Sequence, residues 1–207
     1  MSLDLAATVF VTLFVVIDPV GLAPLFLALT RGMGQEQRIS IGLRAIGIAF
    51  VLLALFGFAG EALLGAVGIG IPAFRIAGGL LLFLTAVDML FEKRQPRREK
   101  SVHEAEALPD PTVFPLATPL IAGPGALATM ILLIGQHPGD IAAQATVYLT
   151  MTLVLAICWL FFRLSGAIEH VLGPTGINVV TRLLGMLLAA LAVQFVLQGL
   201  RDFGFGN

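Results

Sequence analysis

The sequence has few charged residues and many hydrophobic ones. Of its 207 residues, 12% are charged and 58% are hydrophobic, whereas a soluble domain carries about 25% charged residues. A charge density this low excludes a water-exposed surface over most of the chain. The basic residues also do not alternate with aromatic ones, which excludes a typical nucleic-acid-binding surface. We therefore expect a membrane protein that is surrounded by the lipid bilayer and binds no nucleic acid.

Cysteine and histidine are also scarce. The single cysteine, Cys158, lies in an apolar run, so no internal disulfide can form, and we interpret it as a small buried side chain. The three histidines are far apart in segments that we expect to be loops, and no metal-ligand spacing or His-paired nucleophile is present. The sequence thus predicts no enzyme, no metal site and no cofactor.

Long apolar runs dominate the chain. A bilayer core about 30 Å thick is crossed by roughly 20 apolar residues in a helix. Six runs reach that length: Leu5–Leu29, Ile41–Gly60, Ala73–Phe91, Thr112–Ile134, Ile141–Phe162 and Val180–Leu200. The first run is preceded by no basic segment and is not followed by a small-residue cleavage site, so we interpret it as a retained helix. Residues 1–207 then form one transmembrane domain, in which 164–172 is either an interfacial helix or an extension of the fifth span.

The charged segment 92–111 separates the third span from the fourth, and we interpret it as a cytoplasmic loop that cannot lie in hydrocarbon. Alternation of the spans places ten basic residues on one side of the membrane and two on the other. The first side holds Arg31, Arg38, Arg44, Lys93, Arg94, Arg97, Arg98, Lys100, Arg163 and Arg182; the second holds Arg75 and Arg201. This asymmetry predicts that the first side is cytoplasmic and that both termini are periplasmic.

Two halves of the sequence share a pattern. Pro19 and Pro24 of the first span recur as Pro119 and Pro124 of the fourth, offset by 100 residues. The segment Arg75-Ile-Ala-Gly78 of the third span recurs as Arg182-Leu-Leu-Gly185 in the sixth, offset by 107. Residues 1–91 and 112–207 each hold three spans, an odd number, so the second half must enter the membrane from the opposite side. The predicted fold is an all-α membrane protein of six transmembrane helices in two inverted three-helix repeats.

Helices one and four are predicted to be broken at these prolines. Asp18-Pro19 and Thr118-Pro119 each resemble an N-cap followed by proline at the first helical position, which is how a new half-helix begins. Free backbone N–H groups at such a start bind anions. Three nearby glycines permit close approach of backbone or substrate: Gly21, Gly123 and Gly125. Two breaks that meet near the midplane predict the substrate pathway of a secondary transporter; the alternative is two kinks that serve packing alone.

Four polar residues within or at the ends of spans are further candidates. Asp18 is interpreted as a proton carrier, a cation ligand or a partner for a substrate ammonium, with a purely structural helix cap as the alternative. Arg75 and Arg182 begin helices, where they reach the headgroups or form structural pairs, or else contact substrate. Gln194 lies within the sixth span and either lines a cavity or joins helices.

Three motifs together resemble the MarC family of bacterial inner-membrane proteins. They are Asp18-Pro19-x-Gly21-x-x-Pro24-x-Phe26, Pro115-Leu-Ala-Thr-Pro119-Leu-Ile-Ala-Gly123-Pro124-Gly125, and Asn178-x-x-x-Arg182-x-x-Gly185 with Gln194. The resemblance covers essentially the whole chain. It implies a bacterial inner-membrane location and, because some relatives are described as such, transport of small neutral amino acids. The family usually has an apolar residue at position 118, so the resemblance does not support Thr118 as a shared ligand.

The sequence as a whole therefore predicts a secondary transporter of a small neutral solute, most simply a small neutral amino acid. The half-helix start between Pro119 and Gly125 would face the carboxylate of the solute. Asp18 would face its ammonium group or exchange a coupling proton or cation. A non-transporting scaffold or regulator and a channel-like pore are the alternatives, and the oligomeric state stays open.

Overall fold

The computed structural model describes residues 3–105 and 110–205, and these residues are helical with no β-strand among them. The first half contains α1 (Leu3–Ile17), α2 (Pro19–Leu29), α3 (Gln35–Ala66), α4 (Ile71–Leu90) and α5 (Arg94–Ala105). The second half begins with an irregular π-type segment, Thr112–Ile121, and continues with α6 (Pro124–Gly135), α7 (Ile141–Arg163) and α8 (Ser165–Asp202). An all-helical membrane protein is thus confirmed.

Five stretches are long and apolar enough to cross a bilayer: α1 with α2, α3, α4, α7 and α8. The segment Thr112–Ile121 and α6 are bent by 55° relative to each other and make a sixth span if the bent pair is counted as one. Residues 165–172 form the first part of α8, which is interrupted at Gly173 with φ 60° and ψ 178°. Glycine adopts this conformation without steric strain, and Pro174 follows it directly.

The span formed by α1 and α2 lies at the centre of the molecule. In its most apolar stretch 78% of the residues are buried, against 28% in α3 and in α8. The fully buried side chains around it include Leu13, Ile17, Met130 and Phe162. Cys158 is fully buried as well, which confirms its interpretation as a small apolar residue. The two breaks therefore lie in and beside the best-packed part of the protein.

The main helix packing joins one half of the chain to the other. The first span packs against the fifth and the sixth, the second packs against the fourth and the fifth, and the third packs along the sixth and against the fourth. Exchanging spans one and four, two and five, and three and six reproduces this same set of pairs. Such a set is expected of two halves related by a two-fold axis, and the inverted orientation of the halves stays a prediction.

The pair α4 and α8 shows close backbone approach at intervals of seven residues. A Cβ on Gly79 would lie 2.9 Å from the carbonyl oxygen of Ala192, one on Gly185 would lie 3.3 Å from that of Ala86, and one on Gly199 would lie 2.9 Å from that of Pro72. A seven-residue interval keeps the same faces of two helices in contact, and small residues let membrane helices approach closely. The antiparallel pair is therefore built around small side chains.

Ion pairs lie at both ends of this helix pair. Arg75 at the start of α4 pairs with Asp202 at the end of α8. At the opposite end, Arg182 of α8 pairs with Glu92, just after α4, at 2.8 Å. The two arginines that match in the internal repeat thus occupy corresponding places at opposite ends of the pair.

Candidate functional site

The first span is broken at Asp18, as predicted. Asp18 has left-handed backbone angles, φ 59° and ψ 65°, and its side chain accepts a hydrogen bond from the N–H of Gly21 at 3.1 Å. Pro19 occupies the first turn of α2, where its missing N–H leaves no helical bond unmade. The break is confined to this point, because α2 continues through Pro24 to Leu29.

The carboxylate of Asp18 has a buried ionic partner from α5. Nη1 of Arg98 lies 3.0 Å from Oδ2 of Asp18, and the side chains are 8% and 0% exposed. Nη2 of Arg98 also donates to the carbonyl oxygen of Ile17 at 3.2 Å. A buried carboxylate requires a counter-charge and hydrogen-bond donors, and a guanidinium supplies both.

This contact comes from within the segment 92–111, which the sequence predicts as a charged cytoplasmic loop and which contains a helix in the structure. Residues 94–105 form a helix that lies against the broken span. Nη2 of Arg94 donates to the carbonyl oxygen of Val16 at 2.5 Å, and Nε2 of Gln95 donates to that of Gly21 at 3.2 Å. The last carbonyls of α1 have no helical partner, because Pro19 lacks an N–H and the backbone turns at Asp18. The arginines of α5 satisfy these carbonyls and place positive charge at the C-terminal end of α1.

The sequence contains a signal for this packing that hydropathy alone does not reveal. Arg94, Arg98 and Val102 are spaced by four, so they lie on one helix face. Val102 and Arg98 are both buried. Gly21 permits the close approach of α5, since a Cβ there would clash with the Asp18 carboxylate and lie 2.8 Å from Nε2 of Gln95.

The break in the fourth span includes the predicted prolines and is wider than the first, but the helix that follows it begins later than predicted. Thr118 is extended, with φ −138° and ψ 129°, and the peptide bonds before Pro115 and Pro119 are cis. The new helix, α6, starts at Pro124 with Gly123 as its N-cap. The prediction that Thr118 caps a half-helix starting at Pro119 is therefore wrong. An extended conformation is favoured for the residue before a proline, and Gly123-Pro124 provides the cap and first-turn proline five residues later.

A cavity of about 310 Å³ lies at the second break and reaches Val16, near the end of α1. Its walls combine the arginines of α5 with the start of α6. Its lining residues are Val16, Thr85, Asp88, Arg94, Arg97, Arg98, Pro119, Leu120, Ile121, Gly123, Pro124, Gly125 and Ala126. We call this space the α5–α6 cavity. Asp88 pairs with Arg97 at 2.5 Å within its wall, and the Asp18–Arg98 pair adjoins it.

A larger cavity of about 850 Å³ lies along another face of α5. Pro24 of α2, Gln95 and Val102 of α5, and Asn178 of α8 contribute to its lining, together with three glutamates and one arginine: Glu92, Glu99, Glu169 and Arg31. Helix α5 therefore separates two spaces, and the buried Asp18–Arg98 pair lies on its cationic side.

Most of the predicted pathway residues lie at one or the other of the two breaks, and the rest lie elsewhere. Asp18, Pro19 and Gly21 form the first break, and Pro119, Gly123, Pro124 and Gly125 line the α5–α6 cavity. Thr118 lines neither cavity described above, and neither do Arg75 and Arg182, which form the terminal pairs of α4 and α8. Gln194 lies on an exposed face of α8.

Comparison with known proteins gives one consistent result. A family model described as "MarC family integral membrane protein" matches residues 3–203. The "UPF0056 membrane protein" of Archaeoglobus fulgidus is 39% identical, over 93% of this chain and 91% of the relative. "UPF0056 membrane protein YvbG" of Bacillus subtilis is 37% identical, over 97% of this chain and 96% of the relative. "UPF0056 membrane protein YhcE" of Escherichia coli is 36% identical, over 93% and 90%. No solved structure matches this chain.

Proposed function

The chain belongs to the MarC family of integral membrane proteins, and we propose that it is a secondary transporter of a small neutral solute in a bacterial inner membrane. A small neutral amino acid is the solute that fits best. The observation that carries the proposal is the α5–α6 cavity, which lies at the break of the fourth span, reaches Val16 near the first break and is lined by Arg98 of the buried ion pair. Broken helices at a central site are the usual way in which secondary transporters bind solutes.

The size and charge of the cavity suit a small zwitterion. A volume of about 310 Å³ lies at the lower end of ligand pockets, which span roughly 300–1,000 Å³. Its wall offers guanidinium groups and a helix start to a carboxylate, and the carboxylate of Asp88 to an ammonium group. Asp18 is held by Arg98 in this structure, so an ammonium group or a coupling cation reaches Asp18 only if Arg98 moves away.

Helix α5 is the element whose movement would change access. It separates the two cavities, and Arg94, Gln95 and Arg98 attach it to both sides of the first break. Displacement of α5 would join the two spaces along α2. We further propose that the halves are inverted repeats. The set of packed spans and the matching terminal pairs of Arg75 and Arg182 support this arrangement.

The proposed activity involves binding and passage alone, with no catalytic step and no cofactor. A proton or cation gradient would drive it, and Asp18 is the residue we propose to exchange the coupling ion. The competing functions are a non-transporting scaffold or regulator and a channel-like pore, and flux measurements distinguish all three.

The test is uptake of a panel of labelled neutral amino acids into liposomes that contain the purified protein, with and without a proton or sodium gradient. A transporter gives saturable uptake of at least one small member, accelerated by a gradient. Uptake that does not saturate and ignores the gradient would identify a pore. No uptake of any member under any gradient would contradict the proposal and favour a scaffold.

A further inference from the structure

Three arginines line the α5–α6 cavity, and two of them pair with described acidic residues. Arg98 pairs with Asp18 at 3.0 Å, and Arg97 pairs with Asp88 at 2.5 Å. Arg94 contacts the carbonyl oxygen of Val16 and, at 2.8 Å, the sulfur of Met89. Among the residues whose side chains the structure describes, no carboxylate forms an ion pair with its guanidinium. Arg94 thus lines the cavity without a directly bonded carboxylate among the described side chains.

The environment of Arg94 makes this charge costly. Burial, and after it the neighbouring Arg98, lower the pKa of the Arg94 guanidinium to about 9, although Asp18 and Asp88 act in the opposite direction. A guanidinium shielded from water is stabilised by an anion that bonds directly to it. An anion in the cavity would supply that partner.

The opposite wall presents hydrogen-bond donors. Helix α6 begins at Pro124, and its N-cap, Gly123, has no side chain to accept from the first N–H groups. These groups and the positive end of the helix dipole attract negative charge. Gly123, Pro124, Gly125 and Ala126 all line the same cavity as Arg94.

We propose that the α5–α6 cavity binds the carboxylate group of a small solute, with Arg94 as its ionic partner and the first N–H groups of α6 as further donors. The binding site exists whether or not the bound solute is transported. Only its role as the entrance to a transport cycle rests on the proposed function.

The first experiment compares matched ligands by the thermal unfolding of the detergent-purified chain. Acetate and glycine carry a carboxylate, whereas acetamide and glycinamide have the same size without it. We expect acetate and glycine to raise the unfolding temperature saturably, by roughly 2–4 °C, and the two amides to leave it unchanged. Sodium chloride at equal ionic strength is the third arm. An equal rise with chloride, or no saturable rise with either carboxylate, would overturn the assignment.

The second experiment changes Arg94. Arg94→Gln should abolish the response to acetate and glycine. Arg94→Lys keeps a positive charge beside Val16 but loses the paired N–H donors, so its affinity should fall about tenfold. Arg163→Gln is the matched control, since Arg163 lies over the ring of Trp159, 5.2 Å from its centroid, outside this cavity. If Arg94→Gln does not fold, the affinity of Arg94→Lys for acetate and glycine tests the proposal. Unchanged affinity in the folded Arg94 variants contradicts the proposal.

The two proposals fail separately. Carboxylate binding that depends on Arg94, without flux of any amino acid, would leave the site intact and remove the transport function. Flux that persists unchanged in Arg94→Lys and Arg94→Gln would leave transport intact and overturn this site.

Discussion

Asp18 combines two roles, one for each oxygen of its carboxylate. Its carboxylate caps α2 through Oδ1 and pairs with Arg98 through Oδ2. The cap is a local feature, so a polar residue before Pro19 is enough to predict it. The partner lies 80 residues away in a segment whose charge suggested solvent, and no local pattern connects the two. The sequence therefore predicts that Asp18 is important without predicting what neutralises it.

We predict that Asp18→Asn lowers stability although it preserves the cap. The amide oxygen still accepts from Gly21, but Arg98 is left as a buried charge without a counter-charge. Breaking a buried pair in this way costs about 3–5 kcal/mol. Chemical unfolding in detergent measures the loss, and the double variant Asp18→Asn with Arg98→Gln should recover most of it. A single variant as stable as the unchanged protein would show that the pair contributes nothing to folding.

At the scale of helices, the chemistry of prolines predicts that two spans break. It does not predict at which residue the helix after the second break begins. Asp18-Pro19 is the cap-proline pair of the first break, and the structure uses it. The fourth span offers both Thr118-Pro119 and Gly123-Pro124, and both satisfy the same rule. The choice between them depends on how the segment packs against α3, which is a tertiary contact.

Hydropathy predicts a water-exposed environment for helix α5, which differs from the environment in the structure. Its arginines suggest water, yet Arg98 lies beside a buried acid and Arg94 caps the carbonyls of α1. Such partners are found only in the folded chain. Because a residue's hydropathy is assigned without its partners, charged helices that complete broken spans escape a search for apolar runs.

We predict that α5 is docked rather than free in solution. In a background in which Cys158 is replaced by serine, Val102→Cys should react at least about tenfold more slowly with a water-soluble thiol reagent than Lys100→Cys, because reaction at a buried position requires local opening. Val102 is 6% exposed, whereas Lys100 is exposed on the same helix. Equal reaction rates at the two positions would show that α5 does not occupy the break.

The close contact of α4 with α8 gives a second prediction at this scale. Gly79→Ala would place a methyl group 2.9 Å from the carbonyl oxygen of Ala192, and backbone cannot yield as a flexible side chain can. We expect destabilisation of about 1–3 kcal/mol, as for other overpacked sites. Gly47→Ala is the control, because nothing lies within 4 Å of a Cβ there. It should be neutral or stabilising by up to about 1 kcal/mol. The measurement is unfolding in detergent, and similar effects of the two changes would contradict the proposed contact.

In the molecule as a whole, the helices of one half pack mainly against the helices of the other half. Each span finds its main partners in the other half, so the repeat visible in the prolines and in Arg75 and Arg182 corresponds to packing across the halves. The sequence predicts the helices and the repeat because both are periodic. It cannot predict the cavities, because their walls come from four separate parts of the chain.

The orientation of the whole molecule is the last prediction. Helices α4 and α8 are antiparallel, so the Arg75–Asp202 pair and the Arg182–Glu92 pair lie at opposite ends, and the basic asymmetry assigns the second end to the cytoplasm. With six spans, both termini then face the periplasm. A reporter that is active only outside the cytoplasm should be active when it is fused after residue 207 and silent when it is inserted between residues 105 and 110. A second reporter, active only in the cytoplasm, should give the reverse pattern at the same two positions. If each reporter gives the reverse of its expected pattern at both positions, the orientation is inverted. The cavity beside Glu92 and Glu169 then opens to the periplasm.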